Sequence, residues 1–230
     1  MKQIDQGIVL KRTNYSDSSV ILTLLTRDHG LQRYIFQGGK KKASVLYPLS
    51  QVEFEFYKRP DSELGKLTSA LANDPSSAIP QDPIRSSIAF FLTDVVLQTC
   101  KIEEADPPLY DHLIGLINRV ESGERLVLLP VYALVELTYF LGIQPSLSSD
   151  GHRVFLLDEG EFVQVPPSGS LSESGEHVDL IISMMGEQQF SIPSHEIRAK
   201  ALSTMIRYYE LFIPGFNVSR SLEILRETLS

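Results

Sequence analysis

The chain has 230 residues, 43% of them apolar and 22% charged, with a formal net charge of −8. That composition excludes wholesale disorder, and no apolar run approaches the ~20 residues that a membrane-spanning helix needs. The charge is unevenly spread: residues 1–80 carry a net of +3 and the rest a net of −11, so any grip on a polyanion must be local to the first third of the chain.

A single cysteine, Cys100, rules out an intramolecular disulfide and fits a reducing compartment. The N-terminal MKQIDQGIVLKRTNYSD offers neither a long apolar stretch nor a small-residue cleavage site, so a secretory signal is not expected. GIVLKRT (7–13) opens a first strand, and SVILTLLT (19–26), rich in β-branched residues, is a second. Asp28-His29-Gly30 is a turn signal, and LQRYIFQ (31–37) completes a hairpin. After the loop GGKKKAS (38–44), Val52, Phe54 and Phe56 alternate with Glu53, Glu55 and Tyr57 in a fourth strand; KLTSALA (66–72) is the fifth. Five short strands in about 70 residues fit a small barrel of the OB type.

NDPSSAIPQDP (73–83), with three prolines, reads as a domain boundary. Helical spacing then predicts one helix from Ile84, a second over about 107–121, and a third ending at Gly142 that Pro130 must either start or kink. From 145 to 193 the periodicity breaks; two β-like pieces, 153–157 and 161–165, predict an irregular hairpin-bearing insert, with 166–176 expected to be mobile. Ser194 caps a further helix with Leu202, Met205 and Tyr209 on its buried side, and SRSLEILRETL closes the chain. The fold class is therefore α+β: an OB barrel at 1–78 and a helical domain at 82–230 that holds the insert.

Gly38-Gly39-Lys40-Lys41-Lys42 is the sharpest local motif. Two glycines allow close backbone approach to a phosphate, and three lysines add counter-charge. A lone lysine run is more often a solvated loop. This one has company: Lys11 and Arg12 on the first strand, Arg33 on the third, and Lys58 and Arg59 at the end of the fourth, interleaved with Tyr15, Tyr34, Phe36 and Tyr57. Cations that track a phosphate backbone beside rings that stack on unpaired bases, at about 1–3 kcal/mol per base, are what single-stranded nucleic acid needs. Tyr34 or Tyr57 is expected to stack, whereas Phe36 is expected in the core. No P-loop, GxGxxG or GxSxG is present. Asp158, Glu159 and Glu161 around Gly160 read as a turn rather than a metal site, and Cys100 as a buried, inert thiol.

These residues carry a family likeness. GIVLKRTNYSDSSVILTLLTRDHGLQRYIFQGGKKKAS…LYPLSQVEF resembles the N-terminal OB domain of the RecO family, bacterial recombination mediators of DNA repair. It shares a glycine-led strand before Tyr15 and Asp17, Leu25-Thr26 leading to the turn Gly30, and a Gly-plus-basic loop from Gly39 to Ser44. Leu141-Gly142 with Pro145 and the terminal RSLEILRETL continue the likeness over nearly the whole chain. It implies a non-enzymatic protein that needs no cofactor, binds single- and double-stranded DNA, and anneals complementary strands. With RecR, and in some bacteria RecF, such proteins help RecA replace single-stranded-DNA-binding protein, in the cytoplasm at the nucleoid and away from membranes. Many also dock that protein's acidic tail on the helical domain.

Two departures matter. Many relatives carry a zinc site of paired cysteines after Leu-Gly-x-x-Pro; here that stretch has no thiol, so apolar packing by Val154, Phe155, Leu156 and Phe162 is expected instead. No Lys or Arg lies between Arg125 and Arg153, which leaves Arg198, Lys200 or Arg207 to receive an acidic tail. Two other readings remain: an OB-type protein-interaction module without significant DNA binding, and a metal enzyme built on the acidic turn at 158–161.

Overall fold

The structure, a computed structural model, describes residues 2–38, 46–59, 62–100, 104–149, 153–186 and 191–229. Its internal contacts divide the chain into two compact units, Met1–Gly123 and Glu124–Ser230.

In the first unit, β1 (Gln3–Asn14), β2 (Ser19–Thr26), β3 (Gly30–Gln37), β4 (Gln51–Tyr57) and β5 (Gly65–Ala72) close into a barrel in the order β1-β2-β3-β5-β4. All pairings are antiparallel except β3 with β5. Closure follows from alternation: Val52, Phe54 and Phe56 of β4 point inward and meet Val9, Leu22, Leu24, Tyr34 and Leu67 in one core. Each such large apolar side chain contributes about 1.5–3 kcal/mol on burial. The loop lysines Lys40, Lys41 and Lys42 lie outside the described residues.

The proline-rich segment contains a short 3₁₀ turn, Ile79–Gln81, and is anchored to the following helices. Glu121 accepts from the Ser77 hydroxyl and from the Ala78 N–H. Helix α1 (Pro83–Thr99) is capped by Asp82, whose carboxylate accepts from the N–H groups of Ile84 and Arg85, and it lies against β1. Helix α2 (Pro107–Ser122) is capped by Asp106 and ends on Gly123 in the left-handed conformation. Its Asp111 takes two hydrogen bonds from Arg27 at the end of the β2–β3 hairpin, at 3.1 and 3.0 Å.

In the second unit, α3 (Leu129–Phe140) is apolar nearly all round and mostly buried, as a central helix must be. Pro130 sits in its first turn, where the missing N–H costs nothing. Helix α4 (Glu176–Met185) and α5 (His195–Phe212) pack on α3, and the Tyr209 hydroxyl donates to the Leu134 carbonyl at 2.8 Å. Ser194 caps α5 as expected, and α6 (Ser219–Leu229) follows.

The described residues of the 145–193 stretch hold more regular structure than the sequence implies. Strands β6 (Ser146–Leu147), β7 (Val154–Leu156), β8 (Glu161–Val163) and β9 (Ser172–Ser174) form a sheet in the order β6-β8-β7-β9. Two corrections follow. Segment 166–176, expected to be mobile, supplies β9, which pairs with β7. The expected irregular run also hides α4, whose His177, Val178, Ile181 and Met184 recur at helical spacing and are buried.

Candidate nucleic-acid interface

The barrel register decides which cations can act together. Lys11 on β1 stands opposite Thr23 on β2, and Thr23 stands opposite Arg33 on β3. Cross-strand partners share a face, so Lys11, Thr23 and Arg33 form one row on the outer surface. The neighbouring row runs Thr13, Ile21, Ile35, Lys66 and Tyr57 across all five strands. The two rows together present Lys11, Arg33 and Lys66, all exposed, around half-buried isoleucines, with Tyr57 44% exposed at one end.

A β-bulge makes this possible. The β1–β2 register shifts between Val9 and Lys11, so Leu10 is an extra residue. Val9 faces the core; by simple alternation Lys11 would face it too, and the bulge turns Lys11 outward. Arg12 stands opposite the core residue Leu22 and so belongs to the other side of β1, though it is exposed at the strand's end.

Lys11, Arg12, Arg33, Arg59 and Lys66 have no carboxylate partner among the described residues; Lys2 and Arg27 are instead paired, with Glu55 at 2.6 Å and Asp111 at 3.0 Å. Unpaired surface cations remain available to phosphate. Lys58 and Arg59 lie apart from the rows, lining a pocket with His29, Gln32 and Phe56.

Tyr34 requires a correction. It is completely buried, with ring centroids 5.3 Å from Phe54 and 5.1 Å from Phe56. Gly65 makes room for it: a β-carbon there would come within 2.5 Å of the Tyr34 ring. Residues two apart on a strand share a face, so Tyr34 enters the core with Phe36 and offers no stacking surface. Tyr57 keeps an exposed ring. Lys66 escaped the sequence reading because its place beside Ile35 depends on the parallel β3–β5 pairing, which no local pattern announces.

In the second unit, Gly160 (φ +66°) closes the β7–β8 turn, as read for the acidic cluster at 158–161. The small sheet is held by apolar packing: Phe155 and Phe162 stack at 4.2 Å, and Phe155 meets Tyr208 of α5 at 5.2 Å. A paired-cysteine zinc site has no ligands here, since the chain's one thiol is Cys100, at the C-cap of α1. Of the basic residues considered for an acidic tail, Arg207 lies 3.6 Å from Glu173 and Arg198 donates to the Pro193 carbonyl; Lys200 is exposed.

A closed five-stranded barrel of this strand order followed by a helical region defines an OB-barrel protein of the α+β class. The family model described as "Recombination protein O N terminal" matches residues 1–75, and "Recombination protein O C terminal" matches 80–218. Similar proteins include the DNA repair protein RecO of Phocaeicola vulgatus, 30% identical over the whole of both chains. That of Christiangramia forsetii is 28% identical, covering 96% of this chain and 97% of its own, and that of Flavobacterium psychrophilum 25% identical, covering 98% of each. The chain belongs to the RecO family, non-enzymatic recombination mediators of DNA repair.

Proposed function

We propose that this chain binds single- and double-stranded DNA on the outer barrel face, anneals complementary strands, and assists recombinase loading onto strands coated by single-stranded-DNA-binding protein. The observation that carries the reading is the adjacency of Lys11, Arg33 and Lys66 on two neighbouring rows, beside an exposed Tyr57 and with no carboxylate partner among the described residues. Phosphates neutralised there release counterions, and two strands held with their repulsion screened can pair. Arg12, Lys58 and Arg59, which lie off these rows, and Lys40, Lys41 and Lys42, outside the described residues, are further candidate phosphate contacts. RecR and single-stranded-DNA-binding protein are the direct partners, RecA an indirect one, and RecF a partner in some bacteria; the setting is cytoplasmic, at the nucleoid. The domain division at 1–78 and 82–230 belongs to the same proposal.

The test is a salt titration of single-strand binding. Replacing Lys11, Arg33 and Lys66 together with alanine lowers the slope of log K against log salt by about 2, roughly 0.7 per lost phosphate contact. An unchanged slope removes this face from the DNA site, and weak, salt-insensitive binding by the unaltered protein favours the interaction-module reading.

A further inference from the structure

The wall that carries Lys11, Arg33 and Lys66 also carries apolar surface that phosphate contact does not explain. Ile21 on β2 and Ile35 on β3 stand directly opposite each other, and both are half-buried. Each alternates with a fully buried residue, Leu22 on β2 and Tyr34 on β3, so both isoleucines belong to the outer face. The outer face of an antiparallel sheet ordinarily carries polar residues. Here the isoleucine pair sits between Thr13 and Lys66 in one row and beside Thr23 and Arg33 in the next, and neither row contains a carboxylate. Exposed rings lie on either side. Tyr57 stands opposite Lys66. Tyr15, 60% exposed, donates its N–H to the carbonyl of Ser19, two residues along β2 from Ile21, at 3.0 Å.

Two properties of this wall favour an unpaired strand over a duplex. The first is chemical. A duplex keeps its base faces stacked inside and offers a protein its phosphates and groove edges, so it would lay charged backbone over the isoleucines. An unpaired strand offers its base faces as well. These bury against apolar side chains and stack on tyrosine rings while the flanking cations hold the phosphates. The second property is mechanical. Lys11, Arg33 and Lys66 stand on β1, β3 and β5, which with β2 follow one another around a closed barrel. A duplex has a persistence length of about 150 base pairs and resists bending around so small a body, so it meets fewer of these cations at once. A single strand follows the curve. We propose that this wall selects unpaired strand over duplex, with Tyr15, Ile21 and Ile35 as specificity-determining residues beside Tyr57. The inference rests on the DNA-binding reading above and adds to it the form of DNA that the wall prefers.

The experiment measures the affinity of the full chain for a deoxythymidine oligonucleotide and for a duplex of the same length, by fluorescence anisotropy at one salt concentration. It compares the unaltered protein, Ile21→Thr combined with Ile35→Thr, and Tyr15→Ala. Threonine keeps the branched β-carbon that suits a strand, and the Tyr15 ring is exposed, so the barrel is retained, as urea unfolding verifies. The unaltered protein binds the single strand about tenfold more tightly than the duplex. Each variant weakens single-strand binding by about five- to tenfold and duplex binding by less than about twofold. The single-strand salt slope stays where it was, because no cation is lost. Equal affinity for strand and duplex, or equal losses for both in the variants, overturns the selection and leaves the cation reading standing on its salt slope. Should the threonine pair fail to fold, Tyr15→Ala decides by the same comparison. If replacing Lys11, Arg33 and Lys66 leaves that slope unchanged, the DNA-binding reading falls and selection by this wall falls with it.

Discussion

Gly30 and Glu104 are packed backbone to backbone: a β-carbon on Gly30 would stand 2.2 Å from the Glu104 carbonyl oxygen. Gly30 also holds φ +65° at the tip of the β2–β3 hairpin. That contact and the Arg27–Asp111 pair join the hairpin to the segment that leads into α2 and to α2 itself. Gly30→Ala therefore combines a clash with a strained backbone, and urea unfolding will register a loss of more than about 2 kcal/mol. A loss under about 1 kcal/mol would show that the turn can move aside.

The two tyrosines assigned to stacking part company. Tyr34→Ala empties a core position and costs about 3–5 kcal/mol of stability. Tyr57→Ala leaves stability almost unchanged and weakens single-strand binding by about 1–3 kcal/mol. Melting curves and fluorescence anisotropy of both variants separate these outcomes; equal losses of DNA affinity from two well-folded variants would contradict the core placement.

The Lys40–Lys42 loop gives an independent measurement. Alanine at all three positions lowers the single-strand salt slope by about 2 if each lysine contacts a phosphate. If the slope holds, the loop is a solvated connection and the wall residues act without it.

Cys100 will be unreactive. Burial pushes its thiol from the usual 9.0 up to about 11, so almost no thiolate is present near neutral pH. Its modification by a disulfide reagent at pH 8 should be slow until urea is added. The raised value also means that stability from this proton is complete below about pH 9 and is lost as pH rises towards 11. Cys100 is half-buried rather than fully enclosed, and rapid labelling of the folded chain would show that its surroundings do not hold the thiol protonated.

In the helical unit, the Phe155–Phe162 stack and its contact with Tyr208 hold the small sheet. Phe155→Ala costs about 3–5 kcal/mol, whereas a chelator leaves the melting temperature where it was. A chelator-induced drop would overturn the apolar account.

What could be read in the sequence follows from how local each cause is. The five strands declare themselves through two-residue alternation, and Ser194 marks the start of α5 through its own side chain. Helix α4 was hidden because Gly-, Ser- and Pro-rich turns surround a single apolar run, and β9 because a three-residue strand has almost no period. At the candidate interface, residue types were visible but directions were not. Lys11 depends on a bulge and Lys66 on a parallel pairing, facts that residue spacing does not encode. Tyr34 is different: its inward direction was legible, because it stands two residues from the core Phe36 on one strand.

The extra residue at Leu10 has an evolutionary corollary. Deleting it would set Lys11 directly after Val9, so plain alternation would keep Lys11 outward opposite Thr23 and Arg12 opposite Leu22. A slip that flattens the bulge but keeps Leu10 would instead turn Lys11 inward and Arg12 out. Adjacent basic residues thus make the charged wall tolerant of a one-position slip, because either alignment presents a cation to solvent. A mutational scan that pairs the Leu10 deletion with neutralisation of one member of the doublet at a time will find Lys11 still the essential cation.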